Sequence, residues 1–217
     1  MTWESLKSLP QFINATWVPE NVPVKEKEYL ASIALPPLQT DVLSDARKKI
    51  AAIRTGTDPA PSETCKFEGM PRLAWYPYPL QFIYMAGWVG IQEHDVVRSM
   101  PLNGLDHPAG LRDHNQLQEL SIYGDGRARW EGNTLEVDTI AVDGAIDTFY
   151  GVPNDPDLHV VERYRLLSKT RLERRTTIEA PAFLTKPWEI VTTYRRQPAG
   201  SLATHFCLPK GKAEGET

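Results

Sequence analysis

The chain has 217 residues, a formal net charge of -4, and hydrophobic and charged shares of 41% and 24%. These values fit one globular domain with an extension and exclude an intrinsically disordered chain. The bulk charge offers no footprint for nucleic acid or an anionic membrane surface, and 18 prolines favour short elements joined by stiff turns over long helices.

No apolar run approaches the roughly 20 residues that a membrane-spanning helix needs. The opening residues, MTWESLKSLPQF, show no basic stretch followed by an apolar one, so a cytoplasmic location is expected for the chain as given. Cys65 and Cys207 are too few for a disulfide scaffold or a Cys-rich metal site; they form one bridge or remain two buried thiols. Residues 1–37 mix Trp3, Phe12 and Trp17 with several prolines and read as an irregular arm packed on the body. Over 40–54, Val42, Ala46, Ile50 and Ile53 recur at helical spacing, with Thr40 or Asp41 as N-cap and Gly56 as the stop. A Pro-rich run at 57–63 follows. The expected division is an arm and helix over 1–63, a β-domain over 64–210 and a polar tail over 211–217.

From about residue 72 the pattern becomes that of strands. β-rich stretches lie at 80–101 around Gly87 and Gly90, at 117–123, and in a hairpin over 127–142 that turns at Glu131-Gly-Asn-Thr134. Three more follow at 158–166, 172–180 and 187–196. Sequential hairpins with little helix between them predict a mainly β fold: an antiparallel meander closing into a calycin- or lipocalin-like barrel, with an N-terminal arm and one helix packed outside. Alternation places Leu158, Val160, Glu162, Tyr164 and Leu166 on the inward face of one strand. A loop at 167–171 then sets Leu166 opposite Leu172, Tyr164 opposite Arg174, Glu162 opposite Thr176 and Val160 opposite Ile178. Trp188, Ile190, Thr192 and Tyr194 share one face of the next strand.

Glu162 on this apolar face has two readings. Paired with Arg174 it is structural; desolvated in a ligand cavity its pKa rises and it exchanges protons near neutral pH. Tyr164 either packs or donates to a substrate oxygen. His94 offers a near-neutral base and Arg98 an oxygen-polarising cation, although the run Gln92–Arg98 also reads as a solvated edge strand. Asp125, between two glycines, serves as a turn residue, an arginine partner or an acid/base. Tyr84, Trp88, Trp130, Arg174, Trp188 and Tyr194 are the candidates for substrate contact. The five histidines (94, 107, 114, 159, 205) are scattered without HxH or HExxH spacing, so no metal is expected. No GxGxxG, P-loop, GxSxG or CxxC occurs, and no cofactor is expected.

Several strings resemble those of a large, mostly uncharacterised family of bacterial proteins, often secreted or periplasmic. They are Gly69-Met-Pro-Arg72, Tyr76-Pro-Tyr-Pro79, His94-Asp95 with Arg98 ahead of Pro101-Leu-Asn-Gly104, and His107-Pro108. The most specific are Tyr123-Gly-Asp125, Arg129-Trp-Glu-Gly-Asn-Thr-Leu-Glu-Val-Asp-Thr139 and Leu158-His-Val-Val-Glu-Arg-Tyr164; Thr185-Lys-Pro-Trp188 completes the set. The resemblance spans about residues 65–207. It marks Asp125, Arg129, Trp130, His159, Glu162 and Arg163 as motif positions and supplies no activity. This chain departs from the pattern at Gly126, where the family has Ser, at Ala128, where it has Gly, and at Asn133, where it has Asp.

The sequence therefore points to a barrel whose apolar lumen holds a few convergent polar groups. The expected function is a cofactor-independent lyase or isomerase that dehydrates, isomerises or cyclises a hydrophobic oxygenated small molecule. Glu162, Asp125 or His94 would act as acid or base, with Tyr164 and Arg98 polarising an oxygen. The alternatives are a non-catalytic carrier or sensor with the same cavity, and an interaction module whose lumen is filled by its own side chains. Exposed strand edges are compatible with a homodimer.

Overall fold

The computed structural model describes residues 12–23, 26–58, 69–93, 96–102, 106–109, 111, 121–143, 149–150, 152, 154–198 and 200. Nine strands form one antiparallel sheet: β1 Ala15–Pro19, β2 Leu80–Met85, β3 Trp88–Glu93, β4 Val96–Pro101, β5 Asp125–Glu131, β6 Thr134–Ile140, β7 His159–Ser168, β8 Arg171–Glu179 and β9 Trp188–Pro198. Their order is β4-β3-β2-β1-β9-β8-β7-β6-β5, and the sheet curls into a nearly closed, calycin-like barrel. Its two ends approach each other at the β4–β5 seam, where a Cβ built on Gly126 would stand 2.7 Å from Met100 Cγ.

The expected strands at 158–166, 172–180 and 187–196 are β7, β8 and β9, each slightly shifted or extended. The register is the expected one: Val160 faces Ile178, Glu162 faces Thr176, Tyr164 faces Arg174 and Leu166 faces Leu172, with a bulge before Ser168. The 127–142 hairpin forms as β5 and β6, joined through Gly132-Asn133 with Gly132 at φ 61°. Of the expected strand at 117–123, the described part contributes a single bridge, Ser121 to Val142.

The N-terminal segment departs from the arm that was expected. Residues 15–19 join the barrel wall, pairing with both β2 and β9. Trp17 on this strand is fully buried and donates from its indole nitrogen to the Phe12 carbonyl at 3.1 Å. The helix expected over 40–54 spans Thr40–Thr55 (α2), buries Ala46, Ile50 and Ile53, and stops at Gly56. Gln39 occupies its N-cap without a side-chain bond, in place of Thr40 or Asp41. Two short helices accompany it, α1 at Glu26–Ser32 and the single turn α3 at Arg72–Trp75. No helix among the described residues is long and apolar enough to cross a membrane.

The core divides into two apolar clusters. One lies where α1–α3 cover an end of the barrel and includes Trp75, Phe149, Tyr150, Val160, Ile178 and Trp188. The other fills the opposite half with Phe12, Trp17, Leu80, Phe82, Ile91, Leu135 and Tyr194. Along β7 and β8 the charged residues Glu162 and Arg174 fall between the two.

Candidate functional site: an ionic layer inside the barrel and a polar chain outside it

Alternation along β3 turns Val89, Ile91 and Glu93 inward, and Arg98 projects inward from β4. With Glu162, Tyr164 and Arg174 they form a buried ionic layer. Arg98 donates to both oxygens of Glu162, at 2.7 and 3.1 Å, and to Glu93 at 2.8 Å. Tyr164 Oη donates to Glu162 at 2.6 Å. Arg174 reaches the other Glu93 oxygen at 2.7 Å and donates to the Leu73 and Tyr76 carbonyls at 3.1 and 2.9 Å. Thr176 donates to the Ala74 carbonyl at 2.9 Å, so the α3 turn is fastened directly over this layer. Two carboxylates and two guanidiniums compensate each other, as buried charges must.

Glu162 is therefore ion-paired, and its partner is Arg98 from β4 rather than Arg174 opposite Thr192 on β9. Burial alone would raise its pKa, but the charge and hydrogen bonds of Arg98 prevail and hold it low. The rise expected for a desolvated acid occurs instead at Glu93, where burial outweighs Arg98 and Arg174 and the charge of Glu162 adds to the effect. Burial, with Glu162 beside it, raises Tyr164 well above its ordinary value. Glu162, Tyr164 and Arg174 have zero exposure, as do Glu93 and Tyr194, so side chains fill the lumen at this level.

Three donors in this region have no hydrogen-bond partner among the described residues: Arg98 Nε, Arg174 Nε and Tyr194 Oη. The Arg174 guanidinium lies 5.6 Å from the Tyr194 ring centroid. Trp130 Nε1 and Thr139 Oγ1 on the inward faces of β5 and β6 are likewise unpartnered.

Other expected site residues lie elsewhere. Trp188 belongs to the aromatic cluster under the helices, 5.8 Å from Trp75 and 5.5 Å from Phe149 between ring centroids. Tyr84 is half-buried against the opposite cluster. Trp88 is 45% exposed, because the same alternation that turns Val89 and Ile91 inward turns it out. His94, Cys65 and Cys207 lie outside the described residues.

Asp125 stands on the outer face of the sheet, away from Glu162, because the hairpin register aligns it with Arg127, Arg129, Glu136 and Asp138. Arg127 makes two bonds to it, at 2.8 and 2.9 Å. His107 bridges Asp125 to Asp138, and Asp138 continues to His159. Arg127 and His107 hold the Asp125 carboxyl below its usual range against the opposing effect of burial. The strings Tyr123-Gly-Asp125, Leu135–Thr139, Leu158–His159 and His107-Pro108 thus meet at one place. The neighbouring Glu136, only 2% exposed, sits between Arg129 and Arg163, the latter at 2.6 Å. No group of three or more His, Cys, Asp or Glu among the described residues is arranged to hold a metal ion.

Sequence reasoning missed Glu93, although the alternation Val89, Ile91, Glu93 was there to be read. It also missed His107 and Asp138. The chain matches no protein-family model, and neither a curated protein nor a solved structure shows significant similarity to it.

Proposed function

We propose that the barrel binds a hydrophobic, oxygen-bearing small molecule and acts on it as a cofactor-independent lyase or isomerase, moving a proton in a dehydration, isomerisation or cyclisation. The observation that carries this reading is a set of buried donors that have no acceptor among the described residues, beside a carboxyl pair: Arg98 Nε, Arg174 Nε and Tyr194 Oη. A buried unsatisfied donor costs about 1–3 kcal/mol, and a carbonyl, hydroxyl or ether oxygen of a guest would satisfy it. The acid–base role passes from Glu162 to Glu93. Glu162 is held as a carboxylate, Glu93 is pushed toward its protonated form, and two carboxyls driven apart in this way divide into a proton carrier and a fixed charge. Because side chains fill the lumen around Glu162, a guest enters by displacing them.

A non-catalytic carrier or sensor is the second reading. It is favoured by the engagement of both Glu162 oxygens by Arg98. Native mass spectrometry of freshly purified protein, followed by extraction of the bound compound, tests both. The enzyme reading expects the wild-type protein and Glu93→Gln to retain different compounds, related by one lyase or isomerase step. The carrier reading expects the same compound from both. A folded protein that repeatedly carries no small molecule would count against ligand binding altogether.

A further inference from the structure

On the outer face of β5–β8, four imidazole nitrogens each meet a carboxylate. His107 Nδ1 lies 2.6 Å from Asp125 Oδ2 and its Nε2 lies 3.0 Å from Asp138 Oδ1. His159 Nε2 shares that Asp138 oxygen at 3.0 Å, and its Nδ1 lies 3.2 Å from Glu179 Oε2. A neutral imidazole has one N–H, so it donates to one carboxylate and turns a lone pair on the other; only the imidazolium serves both. The charges agree. Asp125, Asp138 and Glu179 are balanced by Arg127 and two imidazoliums, whereas two neutral imidazoles leave the group with a double negative charge and each turn a lone pair onto one of its carboxylate partners.

We propose that this group is a proton-operated clasp: the hydrogen-bonded chain His107–Asp138–His159 holds residues 106–109 on the outer face of β5 and β6, and loss of the His159 proton as pH rises loosens that chain and opens the cleft beneath. That cleft encloses about 90 Å³ between Asp106, His107, Arg127, Arg129, Glu136 and Asp138. Glu136, on an outward face yet 2% exposed, lines this cleft.

The surrounding charges are accounted for. His107 is faced by Asp125, Arg127 and Arg129 from β5, by Glu136 and Asp138 from β6, and by Asp106 of its own segment. His159 is faced by Asp138 from β6 and Glu179 from β8, and shares a larger cleft with Asp157 and Lys186. Arg129 and Arg163 are engaged by Glu136, with Glu131 also on Arg129, and so do not replace the missing protons. The hydrogen bond that His159 donates to Asp138, opposed by burial, raises the His159 pKa above its ordinary value. A raised folded-state value means the stabilisation is complete below the ordinary histidine value of about 6.5 and is lost as pH rises through the folded one.

The test uses ¹⁵N NMR of the histidine side chains together with amide exchange of residues 106–109, corrected for intrinsic rates, from about pH 5.5 to about pH 9. The expected result is that His159 titrates above its ordinary value and that protection of the segment falls severalfold over the same range. Asp138→Asn is expected to abolish that protection at the acid end while the rest of the barrel stays protected. If that variant does not fold, His159→Gln is expected to flatten the pH response of the segment. A His159 titration at or below the ordinary value, protection that ignores pH, or a wild-type response in either folded variant overturns the clasp. The clasp lies outside the barrel, so none of these outcomes bears on a ligand in the lumen.

Discussion

At Glu162 the strand pattern determines which way the side chain points, and its partners determine what it is. Removing Arg98 leaves a fully buried carboxylate without its bidentate donor. Arg98→Met is therefore expected to cost about 3–5 kcal/mol in urea unfolding, the range for breaking one side of a buried pair. Arg165→Met, which breaks a pair that is 52% exposed on the arginine side, is expected to cost less than about 1 kcal/mol. Two glycines give a second contrast. Gly132 has φ 61° with nothing within 4 Å of a built Cβ, whereas at Gly124, with φ 71°, the Cβ would stand 2.6 Å from the Ile140 carbonyl oxygen. Gly132→Ala should cost about 1–2 kcal/mol, the left-handed penalty alone. Gly124→Ala should add about 1–3 kcal/mol of overpacking, because backbone cannot swing aside.

Among the elements, β1 has the largest role for its length. Sheet order runs through it, so these five residues join β2–β4 to β5–β9. A chain beginning at residue 20 is expected to lose the cooperative unfolding transition and the near-UV dichroism of packed tryptophans, while Trp17→Ala should cost about 3–5 kcal/mol as a large buried deletion. The strand escaped the sequence reading because ATWVP is short, ends in proline and lacks clear alternation; its pairing with β9 is a contact between the two ends of the chain. By contrast β7 and β8 were legible down to their register. Each has a two-residue period with one apolar face, and a short loop leaves little freedom in how they meet.

Across the whole molecule, stability should peak over a limited pH range. The pKa values of Asp125 and Asp138 are lowered by their histidine and arginine partners against burial, so their contribution is full above the ordinary aspartate value of about 3.9 and fades as pH falls through the folded values. That of His159 is raised, so its contribution fades in the opposite direction, as pH rises through its folded value. Urea midpoints across pH should therefore fall on both sides of a maximum, and His159→Gln should remove the alkaline decline attributable to this group. A midpoint that keeps rising through the alkaline range would contradict this assignment.

Period-two patterning along single strands was enough to establish the barrel class, the inward faces of β7–β9 and the burial of Glu162, because those properties depend on residues close together in the chain. Which arginine reaches Glu162, that Glu93 shares it, and that His107 and His159 clamp the same aspartate depend on residues tens of positions apart. Their spacing is fixed only when the sheet curls and brings β4 around toward β5 and β7. An isolated sequence cannot specify that curl, since side-chain alternation reports which face a residue occupies and carries no information about which distant charge will stand against it.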